Sequence, residues 1–483
     1  MPDAALDDAA REFLASDIAS FTTPGHGRNP LVADAFLALD LPLTSAIDDL
    51  RESKGMLPAA EARAARAWGA DWCRFVVNGS SQGNQAMALG AARQGATVIV
   101  SRTIHKSLFA AFVLGGLDPV FVRPELDPAT GLPGGMPPSR IADALAAHPD
   151  AAAVFLTEPS YVGVLSDVAA IAAGCHAAGV PLLVDGAWGA HLGFHPALPP
   201  HAMASGADAL VLSTHKTLPA FTQSALLFAR AGSLDLRRLA EAFDLLNTTS
   251  PSGAIYASID RARALLEHHG VELLDRTLAQ AARVRAALAG IDGVRLVGPD
   301  APAVHAIDPT KIVVSLDGAG ADGFAVEADG YAAGVRFEMA DRSLLVPLLH
   351  VGVADVWVDR LLAFLPASIE ARRGPPRPPR ASIAFTADVE PGMSPRQAFF
   401  ADHERVPVRD AIGRICAETV TPYPPGIPAL APGEVVTADV IEALRDERSA
   451  GSRIAYCSDP ALDTLLVVVP SRRETSGKGD VAS

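Results

Sequence analysis

Apolar positions along this chain collect into short runs closed by polar turns, and these runs alternate with longer stretches of helical spacing. The runs Arg74–Val77, Ala96–Val100, Ala151–Leu156, Pro181–Val184, Ala209–Leu212 and Ala225–Phe228 predict strands. Helices are predicted from Ala59, from Gln85 and over 167–178. A long helix from Ile255 through the 260s follows, and then another across Leu274–Leu288. Repeated strand–helix alternation predicts an α/β fold with a mostly parallel sheet covered on both faces. In such sheets a ligand lies at the carboxyl ends of the strands. Beyond 300, Lys311–Leu316, helical 321–333, the run Val335–Met339 and a helix at 354–365 predict a small second α/β domain.

Proline, arginine and glycine crowd together between Arg372 and Arg380, which marks a stiff, solvated linker. The expected organisation is an N-terminal arm over 1–55, a large domain over 56–250, and a helical connection with the small domain over 251–370. The linker over 371–381, a C-terminal α+β domain over 382–470 and a disordered tail over 471–483 complete it.

Composition narrows the class. A chain of 483 residues exceeds one compact core. A net charge of -15 argues against a nucleic-acid partner, which needs a basic footprint. Cys73, Cys175, Cys416 and Cys457 have no paired spacing, so neither a disulfide framework nor a zinc site is expected and a reducing cytoplasm fits. The acidic start Asp3, Asp7, Asp8 is unlike a signal peptide, and no apolar run reaches membrane-spanning length.

Candidate chemistry gathers just past the predicted strands. Lys216 follows Ala209–Leu212 within Ser213-Thr214-His215-Lys216, and Asp185 closes Pro181–Val184. A lysine and an aspartate at consecutive strand ends can hold a pyridoxal phosphate ring from two sides, the lysine as Schiff base and the aspartate against the pyridinium nitrogen. Burial of Asp185 beside that nitrogen would keep it protonated, and desolvation would free the Lys216 amine for attack. Ser80 and Ser81, between a strand and a helix start, offer hydroxyls and free amides to a phosphate, and Ser213 adds a hydroxyl. His215 fits a phosphate contact and proton traffic, and His105 could lie flat on the ring. Each has a structural alternative: Asp185, Ser80, Ser81 and His105 could cap helices, and Lys216 could be a solvated strand-end charge. Their joint occurrence at strand ends argues for one site.

These residues carry a family resemblance. With Pro24-Gly25-His26, Ile47-Asp48-Asp49-Leu50, Asn78-Gly79-Ser80-Ser81, His105-Lys106-Ser107, Asp185–His191, Ser213–Lys216, Thr249–Ser252, Asp308–Lys311, Ala411–Glu418 and Tyr423–Pro428, the chain resembles the short Orn/Lys/Arg decarboxylases over nearly its whole length. The resemblance implies the aspartate-aminotransferase fold, pyridoxal 5'-phosphate and a homodimer or higher homo-oligomer. It makes Lys216 the Schiff-base lysine, pairs Asp185 with the ring nitrogen and stacks His105 on the ring. It gives the phosphate to Ser80, Ser81, Ser213 and His215, and sets Ala187 and Trp188 around the cofactor. Where many short members read Asp-Glu-Ala-His, this chain reads Asp185-Gly186-Ala187-Trp188, which changes the cofactor's surroundings.

The expected activity is decarboxylation of a basic L-amino acid, arginine before lysine or ornithine, with Asp48, Asp49 and Glu418 as candidates for its cationic end. An aminotransferase or lyase on another amino acid, and a non-catalytic binding protein of the same fold, are the alternatives.

Overall fold

The computed structural model describes residues 3–16, 39–41, 43, 55–424 and 426–470. The Thr23–Gly27 turn, Asp48, Asp49 and the segment from 471 lie outside the described residues.

After helices α1 (Ala5–Ala15) and α2 (Met56–Ala67), strands and helices alternate. The strands are β1 (Trp72–Val76), β2 (Thr97–Ser101), β3 (Asp118–Val122), β4 (Ala153–Thr157), the short β5 (Val164–Leu165), β6 (Leu182–Asp185), β7 (Ala209–Ser213) and β8 (Ala225–Ala229). Between them run α3 (Gly79–Ala91), α4 (Lys106–Gly115), α5 (Pro138–Ala147), α6 (Val168–Ala177) and the single turn α7 (Thr214–Thr217). A 7-stranded sheet forms in the order β1-β8-β7-β6-β4-β2-β3. Five strands, β3, β2, β4, β6 and β7, run parallel, and β8 is antiparallel to both its neighbours. β1 therefore points the same way as β7, and six carboxyl ends share one edge.

The period-two alternation of strand side chains divides the core between the two faces. Val154, Leu156, Leu182, Val184, Leu210 and Leu212 pack on one side. Ala153, Phe155, Leu183, Ala209 and Val211 pack on the other. Close approach of α3 to the sheet depends on Gly83, where a Cβ would sit 2.9 Å from Val211 Cγ1.

After α8 (Leu236–Leu246), one helix replaces the two predicted. α9 runs unbroken from Gly253 to Ala289, 37 residues and about 55 Å. No proline interrupts it, and Gly270 sits against Leu266 and Phe194, where a lone glycine is tolerated. The sequence pattern splits because the helix changes partners along its length. Tyr256, Ile259, Ala262 and Leu266 join the large core, whereas Ala281, Val284 and Leu288 join a second one.

The second core lies under a 4-stranded antiparallel sheet, order β12-β13-β11-β9, of β9 (Arg295–Leu296), β11 (Val314–Ser315), β12 (Met339–Ala340) and β13 (Leu344–Val346). α10 (Gly323–Ala332) and α11 (Asp355–Ala371) cover it, and β10 (Ala306–Ile307) pairs with β5 of the large unit. The predicted strand over 335–339 is instead mostly the approach to β12. Residues 372–380 lack regular structure, yet they are not simply solvated. Arg377 pairs with Asp317 at 3.2 Å and donates to the carbonyls of Gly320 and Ala321, both at 2.7 Å.

C-terminally, β14 (His403–Pro407) pairs with β17 (Thr464–Val468), and β15 (Thr421–Tyr423) with β16 (Arg453–Ala455). The helix Ala438–Ser449 contributes Val440, Ile441 and Leu444 to their shared core. This unit is tied to the large sheet by a buried ion pair between Arg102, just past β2, and Glu434.

Candidate active site

A cavity of about 710 Å³ opens at the carboxyl edge of the large sheet, roofed by α10 with the approach to β12 and by the C-terminal unit. Ser80, His105, Asp185, Ala187, Trp188 and Lys216 all line it. The register explains how they meet: Asp185 lies beside Thr157 of β4 and Val211 of β7, so β6 ends next to the turn that carries Lys216.

Asp185 is almost wholly buried. One carboxylate oxygen accepts from Asn84 Nδ2 at 2.7 Å and the other from the amide of Ala187 at 3.1 Å. It is therefore a held group that faces the cavity, and not a helix cap. His105 combines both readings given to it: it is the N-cap of α4 and lines the cavity. Its Nδ1 accepts from the amide of Ser107 at 3.3 Å, which leaves the proton on Nε2. Burial lowers its pKa, against the pull of Asp185 and with the push of Lys216 and Lys106, so the ring is neutral.

Burial also lowers the pKa of Lys216, opposed by Asp185 and Glu338. Its Nζ lies 3.9 Å from the centroid of the Trp188 ring. A second amine, Lys311 Nζ, lies 3.1 Å from the same centroid, and burial brings it down to about 7 against Glu338. Trp188, where the sequence departs from many short members, thus has two amines against its ring. Gly186 suits the same packing, because a Cβ there would meet Leu210 Cδ1 at 2.6 Å and Leu212 Cδ2 at 3.0 Å.

Not every expected residue reaches the cavity wall. Ser81 is within the first turn of α3, which lacks a side-chain cap at Asn78, and only Ser80 of the two lines the cavity. Ser213 is buried at the end of β7, its Oγ among the side-chain atoms without a hydrogen-bond partner in the described residues. His215 turns its Nδ1 to the carbonyl of Ser224 at 2.9 Å. Glu418 is placed elsewhere: its carboxylate accepts from the amides of Ser458 and Leu466 inside the C-terminal unit, so it is not a cavity group. The sequence reading gave no role to Lys311, Glu338, Thr157 or Asn84. For Lys311 the signal was present, since Asp308–Lys311 stands out as a motif, held here by the buried Asp308–His191 pair at 3.1 Å.

The donor set fits pyridoxal phosphate. An amine, a fixed carboxylate and a neutral flat imidazole face one space, with the Thr157 hydroxyl, buried and without a partner among the described residues, at its wall. The fold agrees. Lysine decarboxylase A from Pseudomonas aeruginosa superposes with a TM-score of 0.79 at 23% identity, over 96% of this chain and 80% of that one. The chain thus shares its fold with that lysine decarboxylase.

Sequence comparison is more specific. Residues 17–330 match the Orn/Lys/Arg decarboxylase major domain and residues 380–452 the C-terminal domain of the same family. An arginine decarboxylase of Halalkalibacterium halodurans is 34% identical over 463 residues, covering 93% of this chain and 94% of the relative. One of Bacillus subtilis is 33% identical over 461 residues, with the same coverage. The chain belongs to the Orn/Lys/Arg decarboxylase family.

Proposed function

We propose that this protein is a pyridoxal-phosphate-dependent decarboxylase of a basic L-amino acid, arginine in the first place, releasing carbon dioxide and the corresponding amine. The observation that carries the reading is the placement of Lys216 and Asp185 at neighbouring carboxyl ends of β7 and β6, facing one cavity. Preference for arginine rests on the relatives at 33% and 34% identity, both named arginine decarboxylase.

When bound, pyridoxal phosphate would supply the electron sink that decarboxylation needs. Lys216 is the covalent anchor. Its desolvated amine gives up its proton more readily than a surface lysine, which makes it the nucleophile and lets it carry a proton to and from the reacting carbon. Asp185, locked by Asn84 and its own loop amide, offers fixed negative charge to the ring nitrogen. His105, its Nδ1 held by the Ser107 amide, would present a neutral ring to the cofactor. Ser80 and the first amides of α3 would hold the phosphate, with Ser81, Ser213 and His215 as the further candidates for it. Trp188 and Ala187 line the same cavity and would flank the cofactor.

The reading includes a cytoplasmic homodimer. The four cysteines are unpaired, as a reducing compartment requires, and no described helix is long and apolar enough to cross a membrane. Carbon dioxide release from arginine, lysine and ornithine with added cofactor tests the activity. Turnover of at least one, lost in Lys216→Ala, is expected; no release from any of the three overturns the proposal. Elution of the purified chain at monomer mass at micromolar concentration would overturn the dimer.

A further inference from the structure

Decarboxylation breaks the bond between the α-carbon and the carboxylate, releases carbon dioxide and leaves the electron pair behind. The new C–H bond therefore draws one proton from solvent in every turnover. Lys216, which exchanges protons with the reacting carbon, has to be recharged inside the cavity each time.

The cavity holds a second amine that this chemistry leaves without a role. Lys311 is 3% exposed, and among the described residues its amine makes no ion pair and no hydrogen bond. Its backbone is nevertheless fixed from several sides. Arg285 of α9 donates to the carbonyls of Pro309 and Lys311 at 3.1 and 2.8 Å. Asp308 accepts from the amide of Thr310 at 2.9 Å and pairs with His191 in the segment after β6. Gly163 lies so close that a Cβ there would fall 2.8 Å from Lys311 Cβ. A buried amine without a counter-ion costs stability, and one held this firmly in a cavity points to function.

Its position says which function. Lys311 Nζ and Lys216 Nζ lie 3.1 and 3.9 Å from the centroid of the same Trp188 ring, so the two nitrogens are no more than about 7 Å apart, a gap that one or two waters bridge. Glu338 is exposed, lines the same cavity and acts on both amines, which links them to solvent. The other charged groups acting on Lys311 are Lys216 and Asp308, and Asp308 is already taken by His191. Burial brings Lys311 down to about 7, so its amine both takes and gives a proton near neutrality.

We propose that Lys311 is the proton relay of the decarboxylation: it takes a proton from water beside Glu338 and passes it to the Lys216 amine, which delivers it to the α-carbon. This deepens the decarboxylase reading and rests on it. Lys311 acts through Lys216 and positions the proton, and it does not anchor the cofactor.

The test compares cofactor-loaded wild type with Lys311→Met, Lys311→Arg and Lys311→His on whichever of arginine, lysine and ornithine the wild type turns over. An arginine side chain keeps the charge but releases no proton near neutrality, whereas histidine does. The relay predicts kcat lowered about 100-fold in the Met and Arg variants, with about 10-fold recovered in the His variant. The fall of wild-type kcat above pH 7, as Lys311 loses the proton it delivers, is absent from the Met and Arg variants. A further readout does not depend on rate. A proton that reaches the α-carbon late is placed on the cofactor's own carbon instead, and one water then releases pyridoxamine phosphate and an aldehyde in place of the amine. The share of turnovers ending in pyridoxamine phosphate, read by chromatography, rises about 10-fold or more in the Met and Arg variants. Cofactor affinity and melting temperature are not lowered in Lys311→Met. Full kcat in Lys311→Met, rescue by arginine as good as by histidine, an unchanged pyridoxamine phosphate share, or weakened cofactor binding that accounts for the loss overturns the relay and leaves the decarboxylase reading standing. Absence of carbon dioxide release by the wild type overturns both.

Discussion

Lys311 is a buried amine whose cost to stability has a definite pH signature. Burial lowers it from 10.5 to about 7, with Glu338 pulling the other way and Lys216 adding repulsion. At about 1.4 kcal/mol per tenfold change in proton affinity, that displacement corresponds to about 5 kcal/mol as an order of magnitude. The direction follows from proton binding. Between pH 7 and 10.5 the unfolded chain holds a proton on this lysine that the folded chain does not, so wild-type stability rises with pH across that window. Above 10.5 neither state is charged, and below 7 both are, so the penalty is largest at neutral pH and below. Lys311→Met keeps the unbranched stem over the Trp188 ring and removes the charge. Melting of cofactor-free wild type and variant, followed by circular dichroism from pH 7 to 10, should show the variant melting several degrees higher at pH 7 and the difference closing toward pH 10. A difference that stays constant with pH, or a variant that is less stable at pH 7, would refute the assignment of Lys311 as a desolvated amine.

Other consequences are open to measurement. Asp185→Asn keeps the size but removes the charge and sets an amide NH2 against one of the two donors, Asn84 Nδ2 or the Ala187 amide, and is expected to lower kcat about 100-fold or more with a loss of about 1–3 kcal/mol in stability. Arg102→Met strands the Glu434 carboxylate between the large and C-terminal units, an expected cost of about 3–5 kcal/mol by denaturant titration. The double variant Arg102→Met with Glu434→Gln should recover much of that loss. Glu158 is pushed up to about 7 by burial, against its hydrogen bonds with Ser166. Between pH 4.5 and 7 the folded chain therefore holds a proton that the unfolded chain releases, and stability falls as pH rises. Glu158→Gln should flatten that part of the stability curve, and an unchanged slope would contradict the protonated carboxyl.

The large unit was legible because its strands are long enough to carry a pattern. β4, β6 and β7 are buried on both faces, so they appear as continuous apolar runs, and the polar residues that close them mark the carboxyl edge. Lys216, Asp185, His105 and Ser80 could be placed together from that edge alone. Strands of two or three residues, such as β9, β11 and β12, carry no readable period, so the small sheet was located but not bounded. The second wall of the site was missed for a related reason. Lys311, Glu327 and Glu338 come from that small unit, and only the fold brings them over Trp188 and the sheet edge. Glu418 shows the converse, since a carboxylate in a distinctive motif can be spent on backbone amides.

Lys216 and Lys311 share the cavity, both against the Trp188 ring, and the central claim is that Lys216 alone anchors the cofactor. Borohydride reduction of the cofactor-loaded protein, followed by proteolysis and mass spectrometry, locates the covalent attachment. The account predicts one pyridoxyl phosphate group, on the peptide containing Lys216. Attachment at Lys311, or no attachment at either lysine, would contradict it.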